Sequence, residues 1–167
     1  NQFGHGSSLE RRELLGLGKL ADEAAVNLAG LLITRHFGDD VRGRTFAVWG
    51  LAFKPRTDDM REAPSVNLID ELLQRGAQVR AFDPAAMAGA SARWQSQPGF
   101  VACRDPLSAI DGSDALIVVT EWREFRSPDF SVMRAAMRAP VAFDGRNVWN
   151  PSEIRAAGFT YRCIGRP

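Results

Sequence analysis

The chain has 167 residues, enough for one domain with a helical extension, and 45% of them are hydrophobic while 25% are charged. A domain of this size buries roughly 70% of the surface of its unfolded chain, so its core needs neither a disulfide nor a metal ion. The formal net charge of +1, without any run of like charges, argues against nucleic acid and membranes as partners.

The N-terminal part of the chain predicts a helix rather than a strand. Residues 1–8 are small and polar, and we interpret them as a flexible remnant or tag. From Leu9 to Phe37, apolar residues recur at spacings of three and four, which predicts a helix that Gly38-Asp39-Asp40 ends. Because this helix carries an apolar stripe, we expect the chain to self-associate through it.

Strand-like and helix-like segments alternate after this helix. The strand-like runs are Thr45–Trp49, Gln78–Phe82, Phe100–Ala102, Ala115–Val119 and Val141–Phe143, with a weaker one at Thr160–Cys163. The central runs are continuously apolar, which is typical of strands buried on both faces of a parallel sheet. The sequence therefore predicts an α/β fold: a Rossmann-like, doubly wound, mostly parallel sheet with helices on both faces, preceded by an N-terminal helix.

Capping residues before prolines mark four predicted helix starts. They are Asp83-Pro84, Asp105-Pro106, Ser127-Pro128 and Asn150-Pro151. In the helix that follows Pro64, Val66, Ile69 and Leu73 form the predicted inward stripe.

The most informative segment directly follows the first predicted strand. It reads Gly50-Leu51-Ala52-Phe53-Lys54-Pro55-Arg56-Thr57-Asp58-Asp59-Met60-Arg61-Glu62-Ala63-Pro64. It carries more charged side chains than a simple turn requires, and it lies where α/β proteins bind their ligands. It contains no G-x-G-x-x-G, so it is not a standard dinucleotide fingerprint.

Three other predicted strands also end in polar loops. The polar loop residues are Lys54, Thr57 and Arg61 after the first strand, Asp83 after the second, Thr120-Glu121-Trp122-Arg123 after the fourth and Asp144-Gly145-Arg146-Asn147 after the fifth. Because the carboxyl ends of parallel strands meet at one edge of a sheet, four polar loops predict a ligand site there.

The charged residues of the first loop have two interpretations each. Lys54 is suited either to a phosphate or ribose contact or to a salt bridge with Asp58 or Asp59. Arg61 leaves the same two alternatives open, with Glu62 as its nearby partner.

The remaining polar residues are less informative. Arg146 follows Gly145, which lets the backbone turn tightly and present the guanidinium group. We interpret Asp83 as a helix N-cap only. Cys103 and Cys163 form no CxxC pair, which predicts two reduced thiols in a cytoplasmic protein. The spacing of the histidines predicts no metal site.

As a set, these motifs resemble the C-terminal domain of the UDP-glucose 6-dehydrogenase family, the NAD-dependent nucleotide-sugar dehydrogenases. The matching segments are Gly50 to Pro64, Phe82-Asp83-Pro84, Asp114-Ala115-Leu116 leading to Thr120-Glu121-Trp122, Asp144-Gly145-Arg146-Asn147 and the ending Ile164-Gly165-Arg166-Pro167. They follow the order of the family from about Arg44 to the C-terminus.

The resemblance implies a three-part, cytoplasmic enzyme. It would comprise an N-terminal NAD-binding domain, a linking helix region that forms a homodimer, here residues 9–40, and a UDP-sugar-binding Rossmann-like domain, here residues 41–167. The implied reaction oxidises the C6 alcohol of UDP-glucose to the carboxylate of UDP-glucuronate with two NAD, through a thiohemiacetal and a thioester on a cysteine.

The resemblance also implies roles for individual residues. By position, Phe53 and Lys54 would contact the UDP-sugar, Arg146 would reach the substrate, and Arg61 would reach NAD bound by the other domain. The cysteine segment of the family, Gly-Gly-x-Cys-x-Pro-Lys-Asp, has no counterpart in this chain. We therefore expect no catalytic residue here and no activity of the chain alone, which would be a fragment, a truncated form or a decayed paralogue.

Two alternatives remain open at this point. One is a stand-alone nucleotide-binding or interaction module without dehydrogenase activity. The other is the corresponding domain of a UDP-N-acetylmannosamine or GDP-mannose dehydrogenase.

Overall fold

The structure, a computed structural model, describes residue 27 and residues 29–165. The interpretation of residues 1–8 and most of the predicted helix that begins at Leu9 therefore lie outside the described residues. Within the described part, helix α1 covers residues 29–37. Its Ile33 is fully buried in the core of the domain, so this part of the predicted N-terminal helix packs directly on the sheet.

Six parallel strands form one sheet in the described part of the chain. They are β1 (Thr45–Trp49), β2 (Gln78–Phe82), β3 (Phe100–Ala102), β4 (Ala115–Val118), β5 (Val141–Asp144) and β6 (Thr160–Cys163). Their order across the sheet is β3-β2-β1-β4-β5-β6, with every neighbouring pair parallel. All six predicted strands are confirmed, and only β4 and β5 differ from the prediction, each by one residue at its end.

Helices cover both faces of this sheet. They are α2 (Pro64–Gln74), α3 (Met87–Trp94), α4 (Pro106–Ile110), α5 (Phe130–Ala136) and α6 (Pro151–Ala156), with a short 3₁₀ helix at Arg123–Phe125. Alternate residues of β1 join opposite cores: Phe46 and Val48 pack with α1, α2 and α3, whereas Ala47 and Trp49 pack with α4, α5 and α6. The predicted doubly wound, Rossmann-like architecture is confirmed.

Two of the four predicted helix caps are confirmed. The Asp105 side chain accepts a hydrogen bond from the Ser108 amide at 2.6 Å and forms a capping box at the start of α4. The Asn150 side chain accepts one from the Ser152 amide at 2.9 Å at the start of α6. In both helices the following proline occupies the first turn, where its missing amide hydrogen leaves no bond unmade.

The other two predicted caps are wrong. Helix α5 begins at Phe130, and its cap is Asp129, whose carboxylate accepts hydrogen bonds from two amides of the first turn, so Ser127 is not the cap. Helix α3 begins at Met87 without a side-chain cap, so Asp83 is not the N-cap of that helix. In α5 the carboxylate of Asp129 takes the capping position because it lies closer to the first turn than Ser127 does.

The predicted inward face of α2 is partly wrong. Ile69 is fully buried as predicted, but its buried partners are Leu68 and Leu72. Val66 and Leu73 are only partly buried at the border of the core. The face of α2 that packs on the sheet therefore differs from the predicted one, because the helix is rotated about its own axis.

The two cysteines lie at opposite edges of the sheet. Cys103 directly follows β3 and Cys163 ends β6, and both residues are buried and outside any disulfide. Five strand intervals of about 4.8 Å separate β3 from β6, or roughly 24 Å in total. A disulfide requires Cα atoms within about 7 Å of each other, so these two residues cannot form one in this fold.

Candidate functional site

The carboxyl edge of the sheet gathers the four polar loops named above. The strands β2, β1, β4 and β5 are consecutive and parallel, so the loops that leave them lie side by side. The switch point of the sheet lies between β1 and β4. From β1 the chain continues to β2 and β3 on one side, and from β4 it continues to β5 and β6 on the other side. In open α/β sheets this is the position at which ligands commonly bind.

Gly50 begins the loop at this switch point and is required there. Its φ is +90°, and a Cβ atom placed on it would lie 2.5 Å from the Thr120 Cβ and 2.6 Å from the Thr120 amide nitrogen. The Thr120 hydroxyl also donates a hydrogen bond to the Ala52 carbonyl oxygen at 2.7 Å. The loops after β1 and β4 are therefore in direct contact, with no gap at their base.

The start of helix α2, which lies beside these loops, is buried. Ala63 and Ser65 are buried, and Pro64, at the start of the helix, has no amide hydrogen. A Rossmann domain that binds a dinucleotide holds the pyrophosphate with free amides at this helix start and with glycines in the preceding turn. The residues present here do not fit that role.

Phe53 and Lys54 follow the part of the loop that is packed against Thr120. Phe53 is half-buried, and its amide donates to the Asp59 carbonyl oxygen at 2.8 Å, which closes the loop on itself. Lys54 is exposed and, within residues 29–165, forms no ion pair with Asp58 or Asp59. The salt-bridge alternative for Lys54 is therefore wrong, and its ammonium group is directed to solvent.

Arg61 lies in the same loop and is bound to Asp59. Its Nε and one terminal nitrogen donate to the two carboxylate oxygens of Asp59 at 3.0 and 2.9 Å. This bidentate contact lowers the pKa of Asp59 to about 2 and raises the pKa of Arg61, to which Glu62 adds a smaller electrostatic attraction. The main partner of Arg61 is thus Asp59, where the sequence suggested Glu62.

A buried carboxylate at the end of β5 holds the loop that carries Arg146. Asp144 is fully buried and accepts hydrogen bonds from the amides of Arg146 (2.9 Å), Val148 (2.7 Å) and Trp149 (3.2 Å). The Tyr161 hydroxyl donates to the same carboxylate at 2.7 Å. The side chain of Asp144 therefore fixes the backbone of the loop that carries Arg146.

The guanidinium group of Arg146 is turned toward the loop after β4. Its Nε donates to the Val119 carbonyl oxygen at 2.8 Å and lies 3.4 Å from Glu121 Oε2. A Cβ atom placed on Gly145 would lie 3.0 Å from the Val118 carbonyl oxygen, so a glycine suits this close approach. The left-handed backbone conformation belongs to Asn147, with φ +55°. The tight turn that we assigned to Gly145 is therefore made two residues later, at Asn147.

Two cavities at this edge of the sheet are lined by different loops. A depression of about 700 Å³ at this edge is lined by Pro84, Trp122, Arg123, Glu124, Arg126 and Ser127. Arg146 instead lines a narrow cleft with Pro64 and Leu68. Neither of these two cavities is lined by Phe53 or Lys54.

Sequence reasoning missed two features of this edge. Arg126 follows the 3₁₀ helix and faces the depression beside Trp122, beyond the four residues that we selected from that loop. Asp83 is 1% exposed and accepts five hydrogen bonds, three of them from distant loops. The Asp-Pro pair resembles a helix cap, so the sequence carried no signal for those distant partners.

The described residues contain neither a membrane-spanning helix nor a cluster of metal-binding side chains. No helix there is both long and apolar enough to cross a membrane. No group of three or more histidine, cysteine, aspartate or glutamate side chains in that part of the chain could hold a metal ion.

Comparison with known proteins identifies the family of this domain. The UDP binding domain of the UDP-glucose/GDP-mannose dehydrogenase family matches residues 47–151. The UDP-glucose 6-dehydrogenase of Pseudomonas aeruginosa is 52% identical over 132 residues, which are 75% of this chain and 28% of that protein.

Two solved structures share the fold over most of the chain. A UDP-glucose dehydrogenase from the archaeon Pyrobaculum islandicum has a TM-score of 0.68 and 34% identity over 84% of this chain and 29% of its own. An NDP-N-acetyl-D-galactosaminuronic acid dehydrogenase from Methanosarcina mazei Go1 has a TM-score of 0.70 and 25% identity over 99% of this chain and 34% of its own.

The chain thus spans about a third or less of the length of these relatives. The family match itself covers more than half of the chain and includes the loops after β1, β2, β4 and β5. The chain therefore belongs to the UDP-glucose/GDP-mannose dehydrogenase family and contains its UDP-binding domain.

Proposed function

We propose that this chain is the C-terminal UDP-binding domain of an NAD-dependent UDP-glucose 6-dehydrogenase. The observation that carries the proposal is its 52% identity, over 132 residues and 75% of this chain, to the UDP-glucose 6-dehydrogenase of Pseudomonas aeruginosa. The full protein would oxidise UDP-glucose to UDP-glucuronate with two NAD and would be a cytoplasmic homodimer. The catalytic cysteine and the NAD-binding domain would lie outside this chain.

A different sugar is the second candidate. The NDP-N-acetyl-D-galactosaminuronic acid dehydrogenase of Methanosarcina mazei Go1 matches almost the entire chain in structure. It differs from the first candidate in the sugar, while the nucleotide part of the substrate is the same kind of ligand. We favour UDP-glucose because its dehydrogenase is the relative with 52% identity.

Phe53, Lys54 and Arg146 would form this domain's contribution to the nucleotide-sugar site. Lys54 is an exposed ammonium group on a loop whose base is fixed, which suits a contact with a phosphate or ribose oxygen. Arg146 is held by Asp144 and would reach the substrate from the neighbouring loop. The other wall of the site would come from the domain that binds NAD.

Arg61 would contact NAD across the domain interface. Its side chain is 88% exposed, so a partner domain can reach it, but its guanidinium group is bound to Asp59. Binding of a cofactor phosphate would therefore replace one charged acceptor by another. In this proposal Asp59 keeps Arg61 extended until the cofactor is present.

Titration of the chain with UDP tests the proposal. Two or three charge-assisted contacts on one wall of a site support affinity of about millimolar, since most of their gross free energy is offset by the cost of association. We expect Lys54→Ala to weaken this binding by about tenfold or more, as for loss of one charge-assisted hydrogen bond. The measurement is an NMR-detected titration, which reads weak binding directly.

Arg42→Ala is the matched control for Lys54→Ala. Arg42 is also an exposed cation, but it precedes β1 and so lies at the opposite, amino edge of the sheet. Equal losses in the two variants would point to a general charge effect and reject the assigned role of Lys54. NADH production by the chain alone from UDP-glucose and NAD would contradict the placement of the catalytic cysteine.

A further inference from the structure

A single buried carboxylate joins three loops at the carboxyl edge of the sheet. Asp83 Oδ2 accepts hydrogen bonds from the amides of Leu51 (2.7 Å) and Ala52 (3.0 Å) and from the Trp122 indole nitrogen (3.1 Å). Its Oδ1 accepts from the amides of residues 85–86 at 2.8 and 2.9 Å. The loops after β1, β2 and β4 therefore meet on one side chain.

The carbonyl groups of the same two loop residues are held as well. The Ser65 hydroxyl donates to the Leu51 carbonyl oxygen at 2.6 Å, and the Thr120 hydroxyl donates to the Ala52 carbonyl oxygen at 2.7 Å. Ser65 and Thr120 are both fully buried. Side chains from three other segments thus fix every backbone polar group of Leu51 and Ala52.

This arrangement exceeds what a local turn requires. A capping role for Asp83 would use the nearby amides of residues 85–86 alone, yet three of its five donors lie 31 to 39 residues away in sequence. A buried carboxylate is costly unless hydrogen bonds or a countercharge offset its desolvation. Within residues 29–165 no cation pairs with Asp83, so the five donors must stabilise it.

The fixed pair of residues directly precedes Phe53 and Lys54. We propose that Asp83, together with Ser65 and Thr120, is a positioning residue that holds Phe53 and Lys54 in place to meet the nucleotide-sugar. This inference rests on the proposed function, because it assumes that Phe53 and Lys54 contact that ligand. A fixed backbone at their base removes part of the ordering cost that a loose loop would incur on binding.

Asp83→Asn tests the role of the carboxylate. Asparagine has the same size but only one acceptor oxygen, so its amide group must face either the Leu51 and Ala52 donors or the donors at residues 85–86. NMR of the isotope-labelled chain reads both the Phe53 and Lys54 amide signals and the affinity for UDP. We expect those signals to shift or broaden before ligand is added, and UDP affinity to fall by about tenfold or more.

Two matched controls separate positioning from loss of stability. Asp114→Asn removes another buried carboxylate, which accepts from the Thr45 amide and pairs with Arg138 at the amino edge. Ser113→Ala removes a fully buried hydroxyl that donates to a carbonyl oxygen at 2.7 Å, as Ser65→Ala does at 2.6 Å. Both controls should lower stability toward urea while leaving UDP affinity within about twofold.

The outcomes distinguish this inference from the proposed function. If the unchanged chain binds UDP but Asp83→Asn and Ser65→Ala bind it equally well, the positioning role is rejected alone. The same holds if the controls at Ser113 and Asp114 lose as much affinity. If the unchanged chain does not bind UDP, both the inference and the proposed function fail. Should Asp83→Asn not fold, the comparison of Ser65→Ala with Ser113→Ala decides the question.

Discussion

At the scale of single residues, Tyr161 is a buried ionisable group next to a buried carboxylate. It is the one tyrosine of the chain, it is 2% exposed, and its hydroxyl donates to the buried carboxylate of Asp144 at 2.7 Å. Burial raises the pKa of Tyr161, and the hydrogen bond and negative charge of Asp144 raise this pKa further. The folded chain therefore binds this proton more tightly than the unfolded chain does.

This difference predicts how stability depends on alkaline pH. The contribution of Tyr161 is fully present below the unfolded pKa, about 10, and decreases as the pH rises above that value. We expect the ultraviolet absorbance of tyrosinate to appear only together with unfolding, as followed by circular dichroism. Tyr161→Phe should cost about 1.5–3 kcal/mol at neutral pH and make alkaline unfolding less steep. Ionisation near pH 10 in a folded chain would contradict the buried hydrogen bond.

Single residues also differ in how far a sequence can predict their role. Lys54 and Arg146 were selected because they follow apolar strands, which are local patterns, whereas Phe53 was named only because of the resemblance to the family. The three distant donors of Asp83 come from loops that only the folded sheet brings near it. The pairing of Arg61 with Asp59 instead of Glu62 likewise depends on loop geometry, because both carboxylates are within reach in sequence.

At the scale of the element, helix α2 offers a direct test of its orientation. Leu72 is 1% exposed in the core, whereas the adjacent Leu73 lies at the border. Truncation of a buried leucine removes transfer free energy and leaves a cavity, so Leu72→Ala should cost about 2–5 kcal/mol. Leu73→Ala, the matched substitution on the same turn, should cost less than half as much. Urea unfolding of the two variants measures the difference.

The reverse ranking would restore the inward stripe that the sequence suggested. That stripe was partly wrong because Val66, Leu68, Ile69, Leu72 and Leu73 cover a wide arc of the helix, so more than one choice of three fits the period. The sheet, which lies against Leu68 and Leu72, selects the actual face. The central strands were predicted to within one residue because each is a short apolar run between turn residues, and no such choice arises.

On the scale of the whole molecule, α1 determines how self-association should be tested. Removal of all residues before Arg42 would also remove Ile33 and Val41, which are fully buried in the core. Such a truncation would confuse dissociation with unfolding. A substitution on the outer side of α1 avoids this problem, and Leu31, with 44% exposure, is the suitable position.

We expect the chain to self-associate through α1 and Leu31→Glu to weaken this association. Burying one leucine contributes about 1.5–3 kcal/mol, so the dissociation constant should rise by about tenfold or more. Leu107→Glu is the matched control, since Leu107 is 45% exposed on α4, which covers the opposite face of the sheet. Sedimentation equilibrium measures both. A monomeric parent chain would contradict the predicted self-association. Equal effects of the two substitutions would show that α1 is not the interface, because a charge on either face would then act alike.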